Sequence, residues 1–193
     1  DIMISIILII LSYLYGSIPF ALVIGLISYK LMLEYGSGNL GGTNTGRVLE
    51  KTGVAVILLD ASKALLVMLL TSYLCSLLKM NNDLAYICAL ACVIGTAIRF
   101  ANFKGGKAVS TAIGFFMAVN PIGAVLAFSR FLIVLKLSKY VSLSSVLASS
   151  SVLFAIPFLN MSMTGKIVTA AVILLLIYRH KENLIRIKNR DRK

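Results

Sequence analysis

Long apolar runs, most of them without charge, alternate along this chain with short segments of glycine, serine, asparagine and basic residues. Runs of about 20 apolar residues are long enough to cross the hydrocarbon core of a bilayer as helices. The pattern predicts an all-α, polytopic membrane bundle with about seven spans. The apolar runs cover residues 2–29, 53–78, 84–98, 108–128, 140–163 and 167–178.

Proline residues mark breaks in two of these runs. Pro19 is expected to bend the first run. That run has neither a basic segment before it nor a cleavage site, so we expect a retained span rather than a signal peptide. Asn120 and Pro121 form a turn-favouring pair within 108–128, which is either one kinked helix or a hairpin of two. We prefer the hairpin because it brings 136–145 to the side of the glycine-rich loops, although its first arm rises only ~18 Å against a core of ~30 Å.

Composition and charge support the membrane assignment. Of the 193 residues, 59% are hydrophobic and 13% are charged, and the mean hydropathy is +0.95. A water-soluble core could not be covered by so few polar residues. The net charge of +12 is spread over loops and a tail on one predicted side, which the positive-inside rule explains better than nucleic-acid binding does. We therefore expect one domain, 1–193, with the amino terminus outside and the carboxyl terminus cytoplasmic.

Two groups of residues within the apolar runs have mainly structural interpretations. Asp60 and Lys63 lie one helical turn apart, so we expect a buried ion pair that stabilises the bundle; the alternative is support behind the polar loops. The three cysteines Cys75, Cys88 and Cys92 lie in apolar runs without other ligand types nearby. We expect them to be packing residues, and we predict no disulfide and no metal site.

The polar segment at 35–47 reads YGSGNLGGTNTGR. Its glycines let backbone N–H groups turn toward one point, and short polar side chains and a guanidinium surround them. This inventory is typical of a phosphate cradle, although a flexible polar loop between two helices remains an alternative. The candidate residues are Ser37, Gly38, Asn39, Thr43, Asn44 and Arg47.

Three further segments have a similar character. The loop at 102–107 combines Gly105 and Gly106 with Lys107. Ser142 and Ser145 fall at the predicted start of a helix, where free N–H groups favour an anion, although Ser142 alone could be an N-cap. After the last span, the only histidine lies three residues from an asparagine on one helical face, where a solvated side chain is the alternative. These two residues are His180 and Asn183. All four segments meet on the predicted cytoplasmic face, which favours a shared function.

Taken in order, the segments SGNLGGTNTGR, FKGGKAVSTAIG, KYVSLSS and HKENLIR resemble the signature segments of the bacterial acyl-phosphate-dependent glycerol-3-phosphate acyltransferase family. The resemblance covers nearly the whole chain. It departs from the family at Gly42, where alanine is usual, and at Ala108, where glycine is frequent. Both changes exchange one small residue for another, so we expect them to affect loop stiffness more than chemistry.

The resemblance implies that a fatty acyl group moves from acyl phosphate to the 1-hydroxyl of glycerol 3-phosphate. The products would be lysophosphatidic acid and phosphate, in the first step of phospholipid synthesis at the cytoplasmic face of the bacterial inner membrane. It implies glycerol 3-phosphate, fatty acyl phosphate and membrane lipids as partners, without a cofactor or nucleic acid. The residues implied to be catalytic are His180, Asn183, Lys107, Arg47 and Ser142. Those implied to bind substrate phosphates are Ser37, Gly38, Asn39, Thr43, Asn44, Gly105, Gly106 and Ser145.

The sequence is compatible with two roles for His180. His180 is either a general base or a hydrogen-bond donor to phosphate while a substrate oxygen takes the proton. We prefer the donor role, because no carboxylate in the neighbouring motifs is placed to orient the ring.

The alternative function is a small membrane transporter of phosphate or phosphate esters, which is disfavoured because the candidate ligands lie on one side. A basic scaffold for an acidic partner would not need the glycine and serine clusters.

Overall fold

The computed structural model describes residues 1–28, 34–98 and 106–190, and within these ranges all regular structure is helical. The apolar runs form the helices because a bilayer leaves no water to satisfy exposed backbone groups. A short 3-10 helix, Ile156–Phe158, follows the eighth helix. The α-helices are α1 (Ile2–Gly16), α2 (Phe20–Ile27), α3 (Gly42–Leu49), α4 (Thr52–Leu77), α5 (Asp83–Ala97), α6 (Val109–Val119), α7 (Pro121–Ser138), α8 (Val141–Ala155) and α9 (Met163–Arg190).

The predicted bend at Pro19 is confirmed, since α1 and α2 meet there at an angle of 42°. A break exposes carbonyl groups that a continuous helix would satisfy. The Lys63 ammonium donates to the carbonyls of Gly16 at 3.2 Å and Ile18 at 2.6 Å. The Thr96 hydroxyl also donates to the Gly16 carbonyl, at 3.0 Å. Side chains from α4 and α5 thus stabilise the break between α1 and α2.

The predicted pair of Asp60 and Lys63 is also present on α4, with a distance of 2.8 Å between the ammonium and carboxylate atoms. Both side chains are buried. A buried charge is costly unless it is paired and hydrogen-bonded. Because Lys63 also holds the break beside Pro19, the pair has the structural role that we expected.

Within the part of the chain that the structure describes, four helices are long and apolar enough to cross a bilayer: α4, α7, α8 with its 3-10 extension, and α9. The bent pair of α1 and α2 makes a fifth if it is counted as one span. The predicted runs at 84–98 and 108–119 are helical as well, but α5 and α6 have only 15 and 11 residues. The integral membrane helix bundle is confirmed, while the total of seven spans and the side of each terminus stay predictions.

Asn120 separates α6 from α7, and its φ of −152° and ψ of 92° interrupt the helix. The Asn120 side chain accepts a hydrogen bond from the Gly123 N–H at 3.0 Å, and Pro121 occupies the first turn of α7. Both features favour a helix start. One cavity is lined by Val109 of α6 and Phe131 of α7, which lie equally far along the chain from Asn120 on its two sides. The two helices therefore run antiparallel, as the predicted hairpin requires.

Three boundaries differ from the predictions. Part of the segment expected to be a loop forms α3, which packs so closely on α4 that an added Cβ at Gly42 would contact the Gly53 carbonyl. Helix α7 continues beyond residue 128 to Ser138. Helix α9 continues beyond residue 178 to Arg190, because the basic tail contains good helix formers and neither glycine nor proline.

Candidate active site

Two helices begin side by side at the polar end of the bundle. Lys107 lies just before α6, and Ser142 lies in the first turn of α8. The Lys107 Nζ atom donates to the Ser142 Oγ atom at 3.3 Å, so the two helix starts are adjacent. The first turn of a helix has free backbone N–H groups and the positive end of the helix dipole. This arrangement favours an anion at the junction.

Ser142 is the centre of this junction. Its buried hydroxyl accepts one hydrogen bond from Lys107 and a second from the Asn183 side chain, at 2.8 Å. A serine oxygen has two lone pairs and one proton. Because two donors occupy the lone pairs, the hydroxyl acts toward any third group as a donor. The structure thus joins three of the four predicted segments at one oxygen atom.

Positive charge is concentrated around Lys107. Burial lowers the pKa of its ammonium from the ordinary value of 10.5, and the charges of Arg186, Arg47 and Arg179 lower this pKa further. Arg47 belongs to α3, so the first predicted segment also reaches this cluster. Cations that repel one another in this way are stabilised when an anion binds between them.

His180 lies one helical turn from Asn183, and its ring is 1% exposed. The Nδ1 atom is 2.7 Å from the carbonyl oxygen of Leu176. A carbonyl only accepts, so Nδ1 carries a proton, and in the neutral ring Nε2 is an acceptor. The group that orients the ring is therefore part of the backbone of α9, and for that reason the sequence did not reveal it.

The glycine-rich segment at 35–47 is held in its conformation by its own residues. Gly36 and Gly38 have φ of 60° and 65°, a conformation that residues with a Cβ rarely adopt. The Asn44 side chain accepts from the Ser37 N–H at 2.9 Å and donates to the Tyr35 carbonyl at 3.0 Å. Asn44 is buried and braces the loop, whereas Ser37 is exposed. Direct contact between Asn44 and a phosphate stays a prediction.

The other predicted site residues differ in their exposure and in the hydrogen bonds that they make. Thr43 and Arg47 are exposed, and Gly38 and Asn39 are half-buried. The Gly106 N–H donates to the Thr96 carbonyl at 3.1 Å, and the Ser145 hydroxyl donates to the Val141 carbonyl at 2.9 Å. These bonds hold Gly106 and Ser145 within the fold. Gly105 lies outside the described residues.

Sequence reasoning missed Arg179 and Arg186 as members of the cationic cluster. Both belong to α9, and together with Asn183 they occupy positions i, i+4 and i+7. Residues at that spacing share one face of a helix. The spacing was visible in the sequence, but without the fold nothing indicated which face of α9 meets α6 and α8.

A mostly apolar cavity lies directly beside the polar cluster. It is lined by residues within about one turn of three predicted site residues: Val109 near Lys107, Ser145 near Ser142, and Leu176 near His180. The remaining lining residues are Ala112, Ile113, Phe116, Ala124, Ala127, Phe128, Phe131, Ala148 and Ser149. Among the residues that the structure describes, no three His, Cys, Asp or Glu side chains are grouped closely enough to hold a metal ion.

Membrane-length helices define an integral membrane protein, in which a cationic junction of two helix starts adjoins an apolar cavity. The glycerol-3-phosphate acyltransferase family profile matches residues 6–190. The chain belongs to this family, and it is an acyltransferase.

Relatives of similar length support this assignment. The chain is 40% identical over 191 residues to glycerol-3-phosphate acyltransferase 2 of Bacillus anthracis, covering 96% of each chain. It is 40% identical over 187 residues to a glycerol-3-phosphate acyltransferase of Listeria monocytogenes, covering 95% of this chain and 93% of the relative.

Two solved structures of PlsY (YgiH), an integral membrane glycerol 3-phosphate acyltransferase, have the same fold. The glycerol 3-phosphate form has a TM-score of 0.87, and the lysophosphatidic acid form has a TM-score of 0.86. Each is 33% identical in sequence, and the match covers 96% of this chain and 92% of the other.

Proposed function

We propose that this protein transfers a fatty acyl group from acyl phosphate to the 1-hydroxyl of glycerol 3-phosphate. The products are lysophosphatidic acid and inorganic phosphate, and the reaction takes place at the cytoplasmic face of the bacterial inner membrane. The observation that carries this proposal is the Ser142 hydroxyl, which bridges Lys107 and Asn183 where two helices begin beside an apolar cavity. Such a site matches a substrate with a phosphate at one end and a hydrocarbon chain at the other.

The charge of the site suits two phosphates. Acyl phosphate and glycerol 3-phosphate each carry a phosphate group, and the cations Arg47, Arg179 and Arg186 each lie within electrostatic reach of Lys107. Ser37, Thr43, Asn44 and Arg47 surround one phosphate, with Gly38 and Asn39 shaping that loop. Gly106, Lys107 and Ser142 surround the other. Bringing two anions together in such an environment provides both positioning and electrostatic stabilisation.

The transfer needs no covalent intermediate on the protein. The oxygen of the acceptor hydroxyl attacks the carbonyl carbon of the acyl phosphate, and the bond between that carbon and the bridging phosphate oxygen breaks. Phosphate leaves with the electron pair of that bond, and the hydroxyl proton must be accepted. The orientation of His180 by Leu176 supports Nε2 as that acceptor in the neutral ring. This geometry favours the base over the donor role that the sequence alone suggested.

The apolar cavity supports an acyl donor whose chain stays within the protein. Its lining begins beside Ser145 and Leu176 and continues between α6, α7 and α8. A hydrocarbon chain placed there is removed from water, and the serines of the lining stay hydrogen-bonded, because the Ser145 and Ser149 hydroxyls donate to backbone carbonyls. The carbonyl at the head of the chain then lies near Ser142.

A direct assay tests the proposal. Purified protein in detergent or liposomes is incubated with palmitoyl phosphate and glycerol 3-phosphate, and phosphate and lysophosphatidic acid are measured together. We expect equal amounts of the two products. Palmitoyl-CoA serves as the control donor, and we expect little turnover because no predicted motif is suited to an adenine or pantetheine group. Efficient turnover with palmitoyl-CoA alone would contradict acyl phosphate as the donor.

A further inference from the structure

A second cavity adjoins the first on the side away from the polar cluster, because the two share lining residues. Three residues line both cavities: Phe116 on α6, and Ala124 and Ala127 on α7. We call these three residues the waist. Opposite the waist, the linings of both cavities come from α8, through Ala148 and Ser149 for the first cavity and residues 151, 152 and 155 for the second.

The two cavities differ in chemistry. The first is lined by hydrocarbon and by serines whose hydroxyls bond to the backbone. The second also has Asn120, Ser151, Thr169 and the exposed Arg130 among its lining residues. The Ser151 and Thr169 hydroxyls likewise donate to backbone carbonyls, those of Ala148 and Gly165. The lining of the second cavity therefore holds more polar residues than the lining of the first, so it is less favourable for a hydrocarbon chain.

The distances along α8 fit a chain of limited length. Ser142 marks the reacting end of the chain. The second cavity reaches Ala155, which lies thirteen residues further along α8. At ~1.5 Å per residue this separation is ~20 Å. A long fatty acyl chain that starts at Ser142 therefore passes the waist before it meets the polar part of the second cavity.

From this arrangement we infer that the waist residues Phe116, Ala124 and Ala127 determine which acyl-chain lengths the enzyme accepts. The small side chains of Ala124 and Ala127 open the passage opposite the Phe116 ring, and the polar lining beyond it disfavours chains that extend further. This inference rests on the proposed use of acyl phosphate donors. It adds specificity-determining residues that are separate from the phosphate-binding cluster.

The waist is tested with Ala127→Phe, assayed with lauroyl phosphate and palmitoyl phosphate as donors. Ala127 is only half-buried, so a larger side chain can enter the passage without filling a closed core. We expect the ratio of kcat/KM for palmitoyl over lauroyl phosphate to fall by about tenfold or more, the size of effect that a changed apolar pocket gives. Phe116→Ala should move the ratio in the opposite direction and improve the use of stearoyl phosphate.

The matched control is Val125→Phe, because Val125 is on the same helix, is 57% exposed and lines neither cavity. This variant should keep the parental chain-length ratio. An unchanged ratio in Ala127→Phe, or equal losses with both donors, would overturn the inference while leaving the proposed function intact. Failure of the parent protein to use any acyl phosphate would instead overturn the proposed function on which the inference rests.

Discussion

At the scale of single residues, the site is organised by hydrogen bonds that fix donors and acceptors before substrate arrives. Ser142 receives two donors and so presents its proton, while Leu176 holds the proton of His180 on Nδ1. Preorganised groups of this kind lose little free energy to reorientation when charge develops in a transition state. The predictions for Lys107 and His180 follow from these contacts.

Replacing Lys107 with alanine should remove a charge-assisted contact to phosphate. We expect Lys107→Ala to lower kcat/KM by about tenfold or more, since such a contact contributes ~1.5–3 kcal/mol. Lys107 precedes α6 rather than lying in its interior, so the variant should elute as the parent does in size-exclusion chromatography. The control is Lys181→Ala, whose exposed ammonium lies over the Tyr178 ring. Activity of Lys107→Ala within a factor of two of the parent would contradict the role.

The lowered pKa of Lys107 also predicts the alkaline limit of activity. The ammonium must be protonated to bind phosphate, and burial and the neighbouring cations make it lose its proton below the ordinary value of 10.5. A bound phosphate opposes this loss and raises the pKa. We therefore expect the alkaline limb of kcat/KM, which reports the free enzyme, to lie at lower pH than that of kcat. Lys107→Arg should remove the limb; coincident limbs would disagree with this account.

His180→Gln tests which group takes the acceptor proton. A base must be neutral, so activity that depends on His180 falls as pH decreases and the ring is protonated. Glutamine does not titrate in this range, so the variant should lose the acidic limb of the kcat profile. We expect kcat to fall by about 10²-fold or more with both KM values nearly unchanged, as for the loss of a general base. A raised KM for one substrate with the pH dependence retained would assign His180 to phosphate binding instead.

At the scale of helices, the ends carry more of the proposed site than the spans do. Helices α6 and α8 begin where Lys107 meets Ser142, and α9 extends past the apolar run at 167–178 to carry His180 and Asn183. The turn before α6 has a conformational cost. Ala108 has φ of 58° and ψ of 17°, in the left-handed region, where the Cβ of a residue other than glycine is crowded.

Ala108→Gly should therefore stabilise the protein by about 1 kcal/mol, because a left-handed alanine costs ~1–2 kcal/mol and part of that gain is offset by lost packing. The comparison variant is Ala112→Gly, one turn into the same helix, where glycine should destabilise by about 1 kcal/mol. Thermal unfolding in one detergent would measure both. A loss of stability in Ala108→Gly as large as that in Ala112→Gly would show that the turn is not strained by alanine.

At the scale of the whole molecule, four segments that are distant in sequence meet at one end of the bundle. The break at Pro19 and the hairpin at Asn120 both help to bring these segments together, because each sets the direction in which the following helix runs. If that end faces the cytoplasm, as the charge distribution predicts, the loops at the opposite end must face outward.

Single cysteines labelled by a membrane-impermeant reagent test this orientation. Exposed positions at the site end are Ser37, Lys139 and Glu182, and exposed positions at the other end are Asn81 and Asn160. We expect intact cells to be labelled only at Asn81→Cys and Asn160→Cys, and inverted vesicles only at the other three. The parent protein provides the background because Cys75, Cys88 and Cys92 are buried. Labelling of Lys139→Cys from outside would contradict the predicted orientation.

The amino-acid sequence alone shows which parts of the chain are apolar, where they break and which polar segments belong together. Those features depend on local properties: hydrocarbon length, the missing N–H of Pro19 and Pro121, and glycine in the loop at 35–47. The tertiary structure decided which polar groups touch. The backbone carbonyl that orients His180, the side of α9 that carries Arg179 and Arg186, and the cavities beside α7 all depend on helix packing, because a residue's partners on another helix are not encoded by its neighbours in sequence.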